Sequence, residues 1–387
     1  MSGTLLDLGF QPLVNNLCNS ANEALEAERF PLRAIYENDL TIHLDTEVPP
    51  EKLYAHYLYR SGVNRPYIEH CKELYKSLSH LDMETVIDVG GNDGTLLNTF
   101  RETSKEIDFW SGIKPKQFIN VDISQNLKEV NEAAGNTYVC GQFDDTMDLP
   151  KANIIVSTNV FQHTKDIRAF LRGIVKCLDG VWVLEFPYTL TTLETLQFDQ
   201  FYHEHYYYWL ISPLVKLFEE YGLKIIFAKH FSIHGGTMRL WMTNSSMGAP
   251  AIDSVIAEME KKERQIDFDA FNGKCRNQMN TCIDFLDGLK GRTVFFGAAA
   301  KGCVFLDAIN CSLETMPDSF IVDDTPDKQG LFVPGTGFEV CTRERLMKEK
   351  VDNIVVLAHN FADYIAASLC RNFSGNIYTC LPTIVRF

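Results

Sequence analysis

From about residue 84 onward the chain alternates short apolar runs with longer stretches whose apolar residues recur at helical spacing. The runs TVIDVGG, QFINVDIS, ANIIVSTNV and GVWVLEFP are rich in β-branched and aromatic residues and short enough for buried strands. Helical patterns such as IRAFLRGIVKCL separate them. Alternation of this kind predicts βαβ units and a mostly parallel sheet. A second series follows residue 290, with RTVFFGAAAKG, SFIVDDTPDKQG, DNIVVLAHN and IYTCLP. Between the two series, residues 251–290 contain no proline and read as a mainly helical connection. Upstream, EALEAERFPLRAIYENDLTIHLD predicts a short strand-and-turn module, and RPYIEHCKELYKSLSHL a helix. The pattern as a whole predicts an α/β chain of three consecutive parts. These are a small N-terminal α+β module over 1–65, a doubly wound, Rossmann-like domain over 66–250, and an α/β half-Rossmann domain over 251–387.

Composition narrows the function without fixing it. A chain of 387 residues exceeds what one hydrophobic core usually organises, and 45% hydrophobic with 22% charged residues is ordinary for a globular protein. The net charge of -15 argues against a nucleic-acid partner, because such affinity depends on Lys and Arg neutralising phosphates. A local basic pocket for one small anion is still compatible with it. No apolar run approaches the ~20 residues of a membrane span, and MSGTLLDLGF does not read as a signal peptide, so a cytoplasmic protein with no membrane partner is expected. The 11 cysteines are scattered, with no C-x-x-C, which fits reduced thiols and predicts no structural zinc.

The stretch VIDVGGNDGTLL runs strand, tight turn, helix. Gly90, Gly91 and Gly94 allow the backbone to turn sharply and approach a ligand without a Cβ in the way. The spacing is D-x-G-x-N-x-G, from Asp88 through Gly90 and Asn92 to Gly94, not the dinucleotide G-x-G-x-x-G. It resembles the first motif of S-adenosylmethionine-dependent methyltransferases, which implies that Asp88 helps to hold the cofactor's amino-acid part. The next strand ends at Asp122, and an acid there can accept both ribose hydroxyls. The same residues also suit a glycine-rich corner of an unrelated α/β fold, with Asp122 as a helix cap.

Further stretches, in order along nearly the whole chain, resemble the sugar C-methyltransferases that act on nucleotide-linked 4-keto deoxysugars. They are LLDLGFQPLVNNL, VPPEKLYAHYLYRSG, TNVFQH, LEFPY, FDQFYHEH, HGGTMR, FFGAAAKG and VDDTPDKQG with VPGT. The resemblance implies S-adenosylmethionine as cofactor and places Asn159 and His163 of TNVFQH beside it. In one respect the chain departs from the family. The family's N-terminal module carries zinc on four cysteines, whereas here Tyr36 and Asp39 stand at two of those positions and the first pair is missing. Cys18 and His43 have unrelated spacing, so no metal is expected and packing is expected to hold the module.

FDQFYHEHYYYWL concentrates acid, imidazole and phenol groups. A metal reading would put His203 and His205 on one face of a strand but leaves the third ligand unidentified. An acid/base reading needs only one imidazole in a closed pocket. By resemblance, His205 is the base that takes the proton at carbon 3 beside a carbon-4 ketone, Tyr202 and Glu204 orient the sugar, and Tyr59 closes the pocket. His203 reads as structural, and Tyr206–Trp209 as packing. In the C-terminal part, the small residues around Ala299 let backbone N–H groups face a phosphate at a helix start, and Lys301 adds charge. Lys328 and Gln329 adjoin this turn, and His234 with Arg239 of HGGTMR offers a pyrophosphate or a carboxylate a partner. The expected substrate is therefore a nucleoside diphosphate sugar, with thymidine as the family's usual handle and guanosine or uridine left open. Two other readings stand beside this one: a methyltransferase with a hydroxyl or non-sugar carbonyl acceptor, and a non-catalytic nucleotide-sugar-binding descendant.

Overall fold

The computed structural model describes residues 2–53, 65–107, 115–244 and 252–387. The chain opens with β1 (Gly3–Pro12), α1 (Ala21–Leu25), β2 (Arg29–Tyr36), β3 (Ile42–Leu44) and α2 (Pro50–Leu53). Next come α3 (Arg65–Leu78), β4 (Thr85–Val89), α4 (Thr95–Ile107), β5 (Gln117–Asp122), α5 (Lys128–Ala133) and β6 (Thr137–Cys140). They are followed by β7 (Ala152–Thr158), α6 (Ile167–Cys177), β8 (Leu178–Pro187), α7 (Thr189–Glu194), β9 (Tyr207–Tyr208) and α8 (Ile211–Glu220). A hairpin of β10 (Leu223–Phe231) and β11 (Thr237–Asn244) precedes α9 (Asp253–Glu263) and α10 (Phe268–Gly288). The remainder is β12 (Thr293–Phe296), α11 (Ala300–Ala308), β13 (Ile321–Val322), β14 (Val340–Cys341) and α12 (Arg343–Lys348). It ends with β15 (Asn353–Val356), α13 (Ala362–Leu369), β16 (Asn376–Thr379) and β17 (Val385–Arg386). These elements form two compact units. The first gathers Met1–Leu58, Thr189–His205 and Ile266–Phe387, and the second Tyr59–Tyr188 and Tyr206–Gln265.

The second unit is built on a seven-stranded sheet in the order β10-β11-β8-β7-β4-β5-β6. From β8 to β6 the strands are parallel, and β10–β11 adds an antiparallel edge. Strands covered by helices on both faces are apolar at almost every position, as in Val86, Ile87 and Val89 of β4. In this context Asp88 on the same strand is conspicuous. α6 begins where the Asp166 carboxylate accepts the Ala169 N–H at 2.9 Å, and it buries Phe170, Leu171 and Ile174. Phe170 meets Phe161 and Trp182, both fully buried, in an aromatic core. The start of α8 is capped from a distance by the fully buried Glu263 of α9, which accepts the Ile211 and Ser212 N–H groups at 2.6 and 2.8 Å. The strand order reverses about β4, with β5 on one side and β7 on the other, so a ligand crevice is expected at the carboxyl ends of β4 and β7.

The first unit contains a six-stranded sheet, β14-β13-β12-β15-β16-β17, parallel except for β17. Its switch point lies between β12 and β15. The antiparallel strands β1–β3 belong to the same unit. Arg29 makes a two-pronged ion pair with Asp307 of α11 at 2.9 and 2.8 Å, and the Tyr36 hydroxyl donates to Asp269 of α10 at 2.6 Å. Cys18 and Phe332 exchange backbone hydrogen bonds of 2.8 Å. The N-terminal strands are thus stapled to the C-terminal helices by polar contacts.

Candidate functional site

The turn after β4 is held by polar side chains from β5 and α5. Gly90 and Gly94 have φ of 73° and 77°, and Asn92 has φ of 48°. A Cβ on Gly91 would come within 2.5 Å of Asn120 Oδ1 and 2.6 Å of Asp88 Oδ2. The Asn92 N–H donates to Asp122 Oδ2 at 3.0 Å, while the Ser124 N–H donates to Oδ1 at 2.9 Å. Asn120 and Asn131, both fully buried, donate side-chain N–H groups to the Asn92 carbonyl at 3.0 Å. These two asparagines fix the left-handed turn, and sequence reasoning passed over them. One signal was available for Asn120, a polar residue inside the apolar run FINVD.

Asp88 is 1% exposed, and among the described residues neither carboxylate oxygen has a hydrogen-bond partner. Burial, with the charges of Asp122 and Asp93 added, pushes its carboxyl up to about 8. A buried acid with both oxygens unsatisfied, in a cradle that a single Cβ would fill, fits a cationic ligand group such as the ammonium of a bound amino acid. S-adenosylmethionine carries that group. Ile123, the residue after Asp122, is 47% exposed, an apolar side chain left open to solvent. Asn159 follows β7 in the left-handed conformation, φ 54°, with its N–H donating to the Glu185 carbonyl at 3.0 Å. His163 lies in the next turn, its Nε2 3.4 Å from Gln162 Nε2.

Two of the expected substrate residues also belong to the second unit. His234 sits in the β10–β11 turn at φ 55°. Arg239 is fully buried on β11, where its guanidinium meets Glu185, Glu73 at 2.5 Å and the His70 ring at 2.8 Å. Burial opposes charge on Glu185, but Arg239 and His70 outweigh it and hold the carboxyl below its ordinary range. Of the two partners expected for Arg239, the structure supplies the carboxylate.

In the first unit, the segment Phe198–His205 is pinned by Phe198 stacked on Phe305 at 6.0 Å and by Phe201 against Phe271. Between and beyond these anchors the polar side chains have little choice of direction. Tyr202 Oη lies 2.6 Å from His205 Nε2, with the two rings 4.0 Å apart. Glu204 is 6% exposed and accepts the Asn15 side-chain N–H at 2.6 Å, and burial pushes its carboxyl up to about 7. His203 turns to the Pro31 carbonyl at 3.2 Å and stands edge-on to Phe30. Tyr59 lies outside the described residues.

The turn after β12 repeats the device of the first glycine turn. Gly297 has φ of 100°, and the Ala298 N–H donates to Asp323 Oδ2 at 2.8 Å, just as the Asn92 N–H meets Asp122. Lys328 donates to the Ala298 carbonyl at 2.7 Å and Gln329 to the Asp323 carbonyl at 2.9 Å, so both brace the loop. Ala299 is the N-cap of α11 and makes no side-chain cap bond. Lys301, in the first turn of α11, is pushed down to about 8 by burial, with Asp199 opposing the fall. Among the described residues no three His, Cys, Asp or Glu side chains gather around a place for one metal ion. No described helix is long and apolar enough to cross a membrane.

Residues 232–382 match a family described as the C-methyltransferase C-terminal domain, and residues 59–227 match a methyltransferase domain. The C-methyltransferase NovU of Streptomyces niveus is 25% identical over 386 residues, covering 93% of this chain and 88% of that protein. Among solved structures, magnesium protoporphyrin IX methyltransferase from Synechocystis with bound SAM is 12% identical, over 46% of this chain and 77% of its own, at a TM-score of 0.35. A S-adenosylmethionine-dependent methyltransferase from Clostridium acetobutylicum is 10% identical, over 50% of this chain and 95% of its own, at a TM-score of 0.37. The methyltransferase domain followed by a match to the C-methyltransferase C-terminal domain, and a C-methyltransferase relative aligned along nearly the whole chain, make this protein a SAM-dependent methyltransferase that is similar to C-methyltransferases along nearly its whole length.

Proposed function

We propose that the protein methylates carbon 3 of a nucleotide-linked 4-keto-6-deoxysugar, with His205 as the base that removes the proton from that carbon. The observation that carries this reading is the Tyr202–His205 pair, 2.6 Å apart, beside the buried Glu204. A carbon acceptor must first become a nucleophile. A C–H next to a ketone loses its proton readily only where a base is within reach and the oxygen that gains charge is stabilised. His205 is proposed to accept the proton at Nε2, giving up its contact with Tyr202, whose hydroxyl then donates to the ketone oxygen. Glu204 titrates near neutral pH and, while protonated, can donate to a sugar oxygen as Asn15 holds its other oxygen. Tyr59 completes the proposed set.

Bound S-adenosylmethionine supplies an electrophilic methyl group on its sulfonium. Asp88 would receive its ammonium, the glycine turn would lie against its amino-acid part with Asn159 and His163 beside it, and Asp122 keeps lone pairs for the ribose hydroxyls. Lys301, with the N–H groups at the start of α11, is proposed to hold the diphosphate, and Lys328 and Gln329 to shape that loop. His234 is proposed to sit near the substrate, and Arg239 to act through Glu185 as a structural pair.

The test is proton exchange without the methyl donor. In D2O, with a thymidine-linked 4-keto-6-deoxyhexose and no S-adenosylmethionine, NMR should show loss of the carbon-3 proton signal. His205→Ala should slow that exchange by roughly 10²–10⁴-fold while S-adenosylhomocysteine still binds. Undiminished exchange in His205→Ala would remove His205 from the reaction.

A further inference from the structure

The segment that carries His205 also carries an acid with no role in the proposed chemistry. Asp199 follows Phe198, and its side chain is 2% exposed inside the first unit. Facing it is His359, from the turn after β15, with a side chain 4% exposed and Nε2 3.9 Å from Asp199 Oδ2. His359 Nδ1 lies 2.9 Å from Thr379 Oγ1 at the end of β16, and that hydroxyl also has the Val356 and Leu381 carbonyls at 3.4 Å. Asp199 Oδ1 and His359 Nε2 have no hydrogen-bond partner among the described residues. A buried carboxylate with an unpartnered oxygen needs a nearby cation to stay charged. Lys301 is the cation acting on both, favouring the charged form of Asp199 and opposing a proton on His359. Phe305, one turn further along α11, closes the cluster, stacked on Phe198 at 6.0 Å and edge-on to His359 at 5.2 Å.

We infer that Asp199 is a positioning residue that ties the diphosphate anchor to the catalytic segment, with Lys301 as the cation shared between Asp199 and the phosphates of the substrate. The inference rests on the reading of Lys301 as that anchor. Asp199 lies three residues before Tyr202 on a segment pinned at Phe198 and Phe201, so a shift at Asp199 reaches Tyr202, Glu204 and His205 directly. A displacement of about 1 Å at reacting groups costs on the order of 10²-fold in rate. The phosphates therefore do more than hold the substrate, since by engaging Lys301 they set where the imidazole stands.

A double-mutant cycle on the full chain tests this, with Asp199→Asn, Lys301→Met and the two combined. Carbon-3 proton exchange in D2O reads the base, and calorimetry with thymidine diphosphate reads the anchor. Asp199→Asn should keep diphosphate affinity within about threefold and slow exchange about 10- to 100-fold, the cost of a small misplacement. Lys301→Met should lower both. The double variant should exchange no more than about threefold slower than the slower single variant, because the connection is already broken. Losses that multiply overturn the inference, as does an Asp199→Asn variant whose affinity falls as far as its exchange. If Asp199→Asn does not fold, Asp199→Glu takes its place in the cycle, keeping the charge but displacing it by one methylene, with the same expectations and the same overturning results. Wild-type protein that binds none of the thymidine, uridine and guanosine diphosphates refutes the anchor reading itself. Binding with multiplied losses refutes only the positioning role of Asp199.

Discussion

At the scale of the residue, Asp88 holds the clearest thermodynamic signature. A carboxyl pushed up to about 8 binds its proton more tightly in the folded chain than in the unfolded one. Its contribution to stability is therefore full below the ordinary carboxylate range, near pH 4, and is lost as pH rises through about 8. Asp88→Asn should remove that loss. In urea unfolding without cofactor, the variant is expected to match the wild type at pH 4 and to exceed it by on the order of a few kcal/mol at pH 8. Parallel pH profiles would contradict the buried, unpartnered carboxyl. Glu204, pushed up to about 7, adds a second decline of the same sign that ends sooner. An ammonium placed against Asp88 reverses the balance. Binding of S-adenosylhomocysteine at pH 7 should then release a proton, seen as a heat that changes with the ionisation enthalpy of the buffer, and Asp88→Asn should abolish that difference.

At the scale of the element, the β4–α4 turn shows what pattern reading reaches and where it stops. The strands β4, β5, β7 and β8 were legible because burial on both faces leaves an unbroken apolar run, and Asp88, Gly90 and Gly94 stood out against it. The parts that lock the turn were not legible. Asn131 comes from α5 and Asn120 from β5, and nothing in local periodicity says that two amides will meet the Asn92 carbonyl. The same limit applies to Arg239, whose carboxylate partners lie on α3 and β8. Asp199 and Lys301 likewise come from distant segments. The turn itself makes a sharp prediction at Gly91, whose φ is not in the left-handed region, so any effect of a side chain there is steric. Gly91→Ala drives a methyl group onto Asp88 and Asn120, and the strain should cost about 1–3 kcal/mol of stability. The larger effect is expected on the ligand, with S-adenosylhomocysteine affinity falling at least tenfold in calorimetry. Unchanged affinity would show that the cradle does not receive the cofactor.

At the scale of the whole molecule, chain order and compact units part company. The first unit combines the N-terminal strands, the segment Thr189–His205 and everything from Ile266 onward. The segment Thr189–His205 is thus an excursion from the chain of the second unit into the core of the first, where Phe198 and Phe201 cover Phe305 and Phe271. β1–β3 add Arg29 on the nearly buried Asp307 and Tyr36 on Asp269. Removing either insertion leaves two aromatic faces uncovered or a buried carboxylate without its cation, and an unpaired buried charge is costly. Expressed alone, residues 266–387 hold the complete six-stranded sheet, and by chain order they would pass for an independent domain. We expect instead an expanded state with far-ultraviolet helix and sheet signals, strong binding of a hydrophobic dye and no cooperative thermal transition, because the sheet keeps its backbone pairing but loses the covers of its helices. Cooperative melting of that fragment would mean that the N-terminal strands and the segment Thr189–His205 are passengers on a self-sufficient domain. Loss of cooperativity, restored when residues 1–53 and 189–205 are supplied by the full chain, would mean that this unit can fold only by drawing His205 into place.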